Sequence, residues 1–133
     1  MKTYYTTVLM LMLATAIVHA NELPKFAERV ATAKDIELQE PTQQYLQNAF
    51  YPVAGPVMSK AMRDCTNSQD ANTKGFVIVA DITQEGSLTR IDFEPKTNTA
   101  ECFTRALVEV HVPMPPTCSS GALPIVIEME ITP

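Results

Sequence analysis

The chain of 133 residues has no tryptophan, four glycines, two histidines and three cysteines, and its 10 Lys and Arg residues are outnumbered by 15 Asp and Glu. Each scarcity removes a class of function. With a net charge of −5 and no basic cluster, the chain lacks the means to displace counterions from nucleic-acid phosphates, so no nucleic-acid partner is expected. The glycines at 55, 75, 86 and 121 are too far apart to form G-x-G-x-x-G or a P-loop, so there is no phosphate cradle. Zinc sites use closely spaced pairs such as C-x2-C. Cys65, Cys102, His111 and Cys118 show no such spacing, and neither a metal site nor a cofactor is expected. A charged fraction of 19% against 46% hydrophobic residues is too apolar for a disordered chain. The length limits it to one small domain.

The longest apolar run, Val8 to Val18 (VLMLMLATAIV), follows Met1-Lys2 and ends in Val18-His19-Ala20 before polar Asn21-Glu22. These are the parts of a secretory signal peptide, which predicts cleavage after Ala20 and export of residues 21–133. The alternative is an uncleaved anchor, because Thr3 to Ala20 carries no charge over 18 residues, just enough for a tilted span.

Beyond that segment, Phe26 with Val30 and Ala27 with Ala31 recur at helical spacing after Pro24, predicting a short amphipathic helix within Glu22–Gln39. Thr42 reads as the N-cap of a second, carrying Tyr45, Leu46, Ala49 and Phe50. Tyr51-Pro52-Val53-Ala54-Gly55-Pro56 then reads as strong punctuation. Val57 to Cys65 has room for further helical turns, and Thr66 to Lys74 has no large apolar side chain, as suits an exposed loop. Phe76 to Thr83 is rich in β-branched residues and apolar on both faces, the pattern of a central strand. Gly86 sits in a turn to a second strand, Ser87 to Glu94, making a hairpin. Asn98 or Thr99 is placed to cap a helix with Glu101 in its first turn and Ala100, Phe103, Leu107 and Val110 as its buried stripe. Pro113, Pro115 and Pro116 stop it, and Pro124 to Thr132 forms a last strand. The fold class is therefore α+β, with short N-terminal helices and a β-β-α-β unit whose three-stranded antiparallel sheet packs on a helix.

A catalytic reading finds little support. A Cys102–His111 dyad requires an oxyanion hole and an orienting residue that the sequence does not supply. His111 instead reads as a favourable charge near a helix C-terminus. Asp81, Asp92, Glu94, Glu128 and Glu130 fall on strands, where they read as solvated faces that discourage edge aggregation. No catalytic residue is assigned, and the chain is expected not to be an enzyme. Three cysteines in an exported chain predict one disulfide, and spacing alone leaves all three pairings open.

From Tyr51 onward the order helix, hairpin, helix, strand resembles the C-terminal domain of the TonB family of energy transducers. The residues that carry the likeness are Tyr51-Pro52 with Ala54, FVIVADIT, Gly86 in QEGSLTRIDFEP, ECFTRALVEV, VPMPP and PIVIEMEI. The likeness extends over about 80 residues and is strongest to short secreted bacterial proteins that carry this domain alone. In those, one Cys precedes the first strand and another opens the helix. This implies a Cys65–Cys102 disulfide, a periplasmic or secreted location, and a division into 1–20 (signal peptide), 21–50 (helical segment) and 51–133 (the domain). Residues 21–50 lack the Pro-rich spacer of a transducer, so force transmission is not implied. The implied function is a non-catalytic interaction domain with a protein partner in the cell envelope, bound as an extended segment by β-strand addition. The alternative is a membrane-anchored component of an envelope transport or energy-transducing complex. The resemblance also implies that the last strand pairs with the central one and leaves its other side open. Ile125, Ile127, Met129 and Ile131 would then face the core, and Val126, Glu128 and Glu130 would flank the docking groove.

Overall fold

The computed structural model describes residues 24–132. The signal peptide or anchor expected at residues 1–20 lies outside them. Eight elements follow in order: α1 (Phe26–Glu37), α2 (Glu40–Tyr45), a π turn (Leu46–Phe50), α3 (Tyr51–Thr66), β1 (Phe76–Thr83), β2 (Leu88–Glu94), α4 (Asn98–Leu107) and β3 (Ala122–Met129). The strands form one antiparallel sheet in the order β2-β1-β3, so the class is α+β as the hydrophobic periods require.

Helices α3 and α4 pack on one face of the sheet. Phe50, Ala54, Met58, Ala61 and Cys65 form a buried stripe at spacings of three and four, and Ala100, Phe103 and Leu107 form another on α4. They meet Phe76, Ile78, Ala80 and Ile82 of β1 and Ile125 and Ile127 of β3 in a single core, with Phe103 edge-on to Phe76 at 5.5 Å between ring centroids. The α4 N-cap is Thr97, whose Oγ1 accepts from the Ala100 N–H at 3.1 Å. It replaces the expected Asn98 or Thr99 because only an extended residue one position earlier aims its hydroxyl at that donor.

The other face is covered by α1. Ala33 is fully buried against Val79 and Val126, with Phe26, Val30 and Val77 around them. The apolar stripe of α1 is therefore Phe26, Val30 and Ala33. Ala27 and Ala31, grouped with that stripe from their spacing, are exposed. A strand as apolar on both faces as β1 needs two covering layers, and α1 supplies the second.

The prolines at 52 and 56 do not break the chain. Pro52 has no N–H and its ring crowds the preceding helical turn. The helix widens there into a π turn, in which the Tyr51 N–H reaches back to the Leu46 carbonyl, and continues through α3 with Pro56 inside it. The expected division at 50/51 thus falls within one helical run, and Tyr45, Leu46 and Phe50 share the core of the residues that follow.

The hairpin turn is closed from outside. Gly86 has φ +83°, and a Cβ there would lie 1.8 Å from the Val112 carbonyl oxygen, while the Val112 N–H donates to the Gly86 carbonyl at 2.9 Å. Gly86→Ala is expected to cost about 3 kcal/mol, combining left-handed strain with loss of that contact. Urea unfolding of the variant beside the parent measures it.

Candidate functional site at the outer edge of β3

All of β3, Ala122 to Met129, is in register with β1, and the far side of β1 holds β2. Among the described residues, no strand pairs with the outer side of β3. The Val126 N–H fixes the phase of this edge, since it donates to the Glu37 carboxylate of α1 at 3.2 Å and so points away from β1. By the two-residue alternation of a strand, the N–H and C=O of Glu128 point outward with it, while those of Ile125 and Ile127 point at β1. Pro124 falls in the outward phase, where its missing donor removes no ladder bond.

The walls of this edge come from the two helical layers. Lys34, Glu37 and Leu38 at the end of α1 and Tyr51 at the start of α3 flank Val126 and Glu128 around a hollow of about 550 Å³. Further along the strand, Met129 lines a second hollow of about 440 Å³ with Gly55, Met58, Ser59 and Met62 of α3. Gly55 lies inside a helix, where glycine costs about 1 kcal/mol relative to alanine, yet a Cβ there would meet nothing within 4 Å. Packing among the described residues does not account for it. Leu38, 75% exposed, and Tyr51, 43% exposed, give the rim apolar surface.

The α1 wall is charged. Lys34 pairs with Glu128. Burial pushes the half-buried Glu37 carboxyl above its ordinary value; its bond from the Val126 N–H opposes this, the Glu128 charge adds to it and Lys34 offsets it. A carboxyl raised on folding binds its proton more tightly in the native state, so its contribution to stability is full below the unfolded value of 4.5 and is lost as pH rises through the raised native value. Comparing pH-dependent unfolding of Glu37→Gln with the parent is expected to show a shallower loss of stability across that interval in the variant.

The three residues expected to flank the groove have different fates. Glu128 stands in it. Val126 lines the hollow, with its side chain largely buried beneath α1, 6% exposed. Glu130 is exposed, beyond the last residue of β3 and outside the groove lining. The sequence reading missed Lys34, Glu37 and Gly55. Only the double-sided apolar pattern of β1 hinted that a helix would come to the edge.

Elsewhere the charged strand residues are separately engaged. Asp81, 8% exposed, binds Arg90 at 3.0 Å and lies 3.7 Å from Arg29, and the Arg29 Nη2 donates to the Arg90 carbonyl at 2.7 Å. Arg90 reaches Asp81 from a β-bulge at φ +49°. Asp92 is held below its ordinary value chiefly by its hydrogen bond from Lys96. Cys65 and Cys102 form a disulfide, with Cα atoms 5.8 Å apart, which leaves Cys102 no thiol for a dyad with His111. The exposed His111 ring instead meets the Ser87 hydroxyl at 3.1 Å. Cys118 is the free cysteine, and burial pushes its thiol up. Among the described residues, no three His, Cys, Asp or Glu side chains are grouped to hold a metal ion, and no helix is long and apolar enough to cross a membrane. Comparison of the chain with protein-family models, curated proteins and solved structures gave no match.

Proposed function

We propose that this chain is an exported, non-catalytic interaction domain, akin to the TonB C-terminal domain, that binds an extended segment of an envelope protein by adding it as a fourth strand beside β3. The observation that carries this reading is the outer edge of β3 at Val126 and Glu128, which has no strand partner among the described residues and is walled by α1 and α3. Such an edge offers backbone donors and acceptors for affinity and flanking hollows for alternate side chains. The Cys65–Cys102 bridge supports export, since disulfides persist in oxidising compartments.

Glu128→Pro tests the reading. The Glu128 N–H faces outward, so proline removes an edge donor while sparing the bonds to β1. The folded variant, checked by circular dichroism, is expected to lose the partner recovered by the parent from envelope extracts. Unchanged affinity would rule out strand addition at this edge.

A further inference from the structure

We infer that the β3 groove selects an extended segment in which apolar residues alternate with lysine or arginine. This rests on the strand-addition reading above and adds the chemistry of the partner. A strand laid along β3 bonds to the outward backbone of Val126 and Glu128, and its side chains alternate between the two walls. Those opposite Val126 and Glu128 fall on the α1 side, and the one opposite Ile127 falls on the α3 side. The α3 side has an apolar floor, with Tyr51 on the rim and Met58, Met62 and Met129 around the open space above Gly55, and polar Ser59, Arg63 and Thr66 complete its lining. An apolar partner side chain fills that space, which gives the helix-interior glycine a purpose the isolated chain does not.

The α1 side is acidic once the strand is in place. The Val126 N–H that a partner carbonyl must take is held by the Glu37 carboxylate, so docking displaces Glu37. Lys34 is already paired with Glu128, which leaves two carboxylates against one ammonium, with the exposed Glu130 next along the same phase of the chain. A displaced, half-buried carboxylate without a cation is costly. A lysine or arginine from the partner neutralises it. A neutral residue there leaves Glu37 unpaired, and an acidic one adds a like charge beside Glu37 and Glu128, so the groove rejects it.

The test uses the oxidised protein and three capped seven-residue peptides in which valine alternates with lysine, serine or glutamate, titrated while backbone amide NMR shifts are followed. The lysine peptide is expected to shift the Val126 and Glu128 amides and to bind at least tenfold more tightly than the glutamate peptide. Glu37→Gln is expected to narrow the gap between the lysine and serine peptides, and Glu37→Lys to reverse the order of lysine and glutamate. Equal affinity for all three peptides, lost in Glu128→Pro, would overturn the charge selection and leave strand addition standing. Failure of every peptide to shift Val126 and Glu128 at millimolar concentration would overturn both. A lysine preference that persists unchanged in both Glu37 variants would overturn the role of Glu37.

Discussion

A chain that begins at Tyr51 is expected to be unfolded, although it contains every element of the β-β-α-β unit. The cut removes Tyr45, Leu46 and Phe50, which are 8%, 6% and 0% exposed and belong to the same core as Phe103 and Ile78. At about 1.5–3 kcal/mol for each buried side chain, three such losses amount to roughly 5–9 kcal/mol, against the 5–15 kcal/mol that holds a typical domain together. The same cut strips α1 from the sheet, exposing Val79 and Val126, and leaves Arg90 as the single guanidinium on Asp81. It also removes the hydrogen bond from the Tyr45 hydroxyl to the Pro113 carbonyl at 2.7 Å, which ties the second helix to the exit of α4. Burial around that phenol pushes its pKa up to about 12. Amide NMR dispersion and protease resistance of 51–133, compared with a chain starting at Asn21, check the expectation. A cooperatively folded 51–133 would mean that the N-terminal helices are an appendage rather than a layer of the core.

The position of that boundary shows what the sequence made legible and what it hid. Both ends of β1 were readable to the residue, because eight positions rich in β-branched residues lie between a polar loop and a turn glycine, and the stripe Ala100, Phe103, Leu107 and Val110 emerged buried as its spacing required. Local chemistry decided those elements. The Tyr51–Pro56 stretch was misleading because proline and glycine propensities describe an isolated helix, while here burial of Phe50, Ala54 and Met58 outweighs them and a π turn absorbs the proline. The groove was half legible. The alternation of the last strand revealed its core face, but that Glu37 reaches the Val126 N–H depends on how α1 crosses the back of the sheet, a tertiary placement without a local signature. Burial of the Val126 side chain has the same origin, since a residue opposite the main core face is solvated only where no second layer covers it.

Loss of the Cys65–Cys102 bridge is expected to lower stability by about 4 kcal/mol on the chain-entropy account of a cross-link, and the melting temperature by about 15 °C for a chain of this size. The bridge joins the last turn of α3 to the second turn of α4 and closes a loop of 37 residues that contains the whole β1–β2 hairpin. Without it the unfolded chain regains the freedom of that loop, while in the folded chain Phe50, Ala54, Met58 and Ala61 still press α3 into the core. With Cys65 and Cys102 replaced, Cys118 has no cysteine in the chain to pair with. The double variant Cys65→Ala/Cys102→Ala is therefore expected to unfold at a lower temperature yet, when kept cold, to retain the edge groove. Met62 and Thr66, which line its second hollow, lie within one turn of Cys65, so this part of the α3 wall is expected to loosen first. Calorimetry gives the shift in melting temperature, and the Glu128 and Met129 amides report whether the groove survives below it. An unchanged melting temperature would mean that the bridge restrains nothing that unfolding releases, and a cold, folded variant without partner binding would make the bridge a direct support of the docking wall.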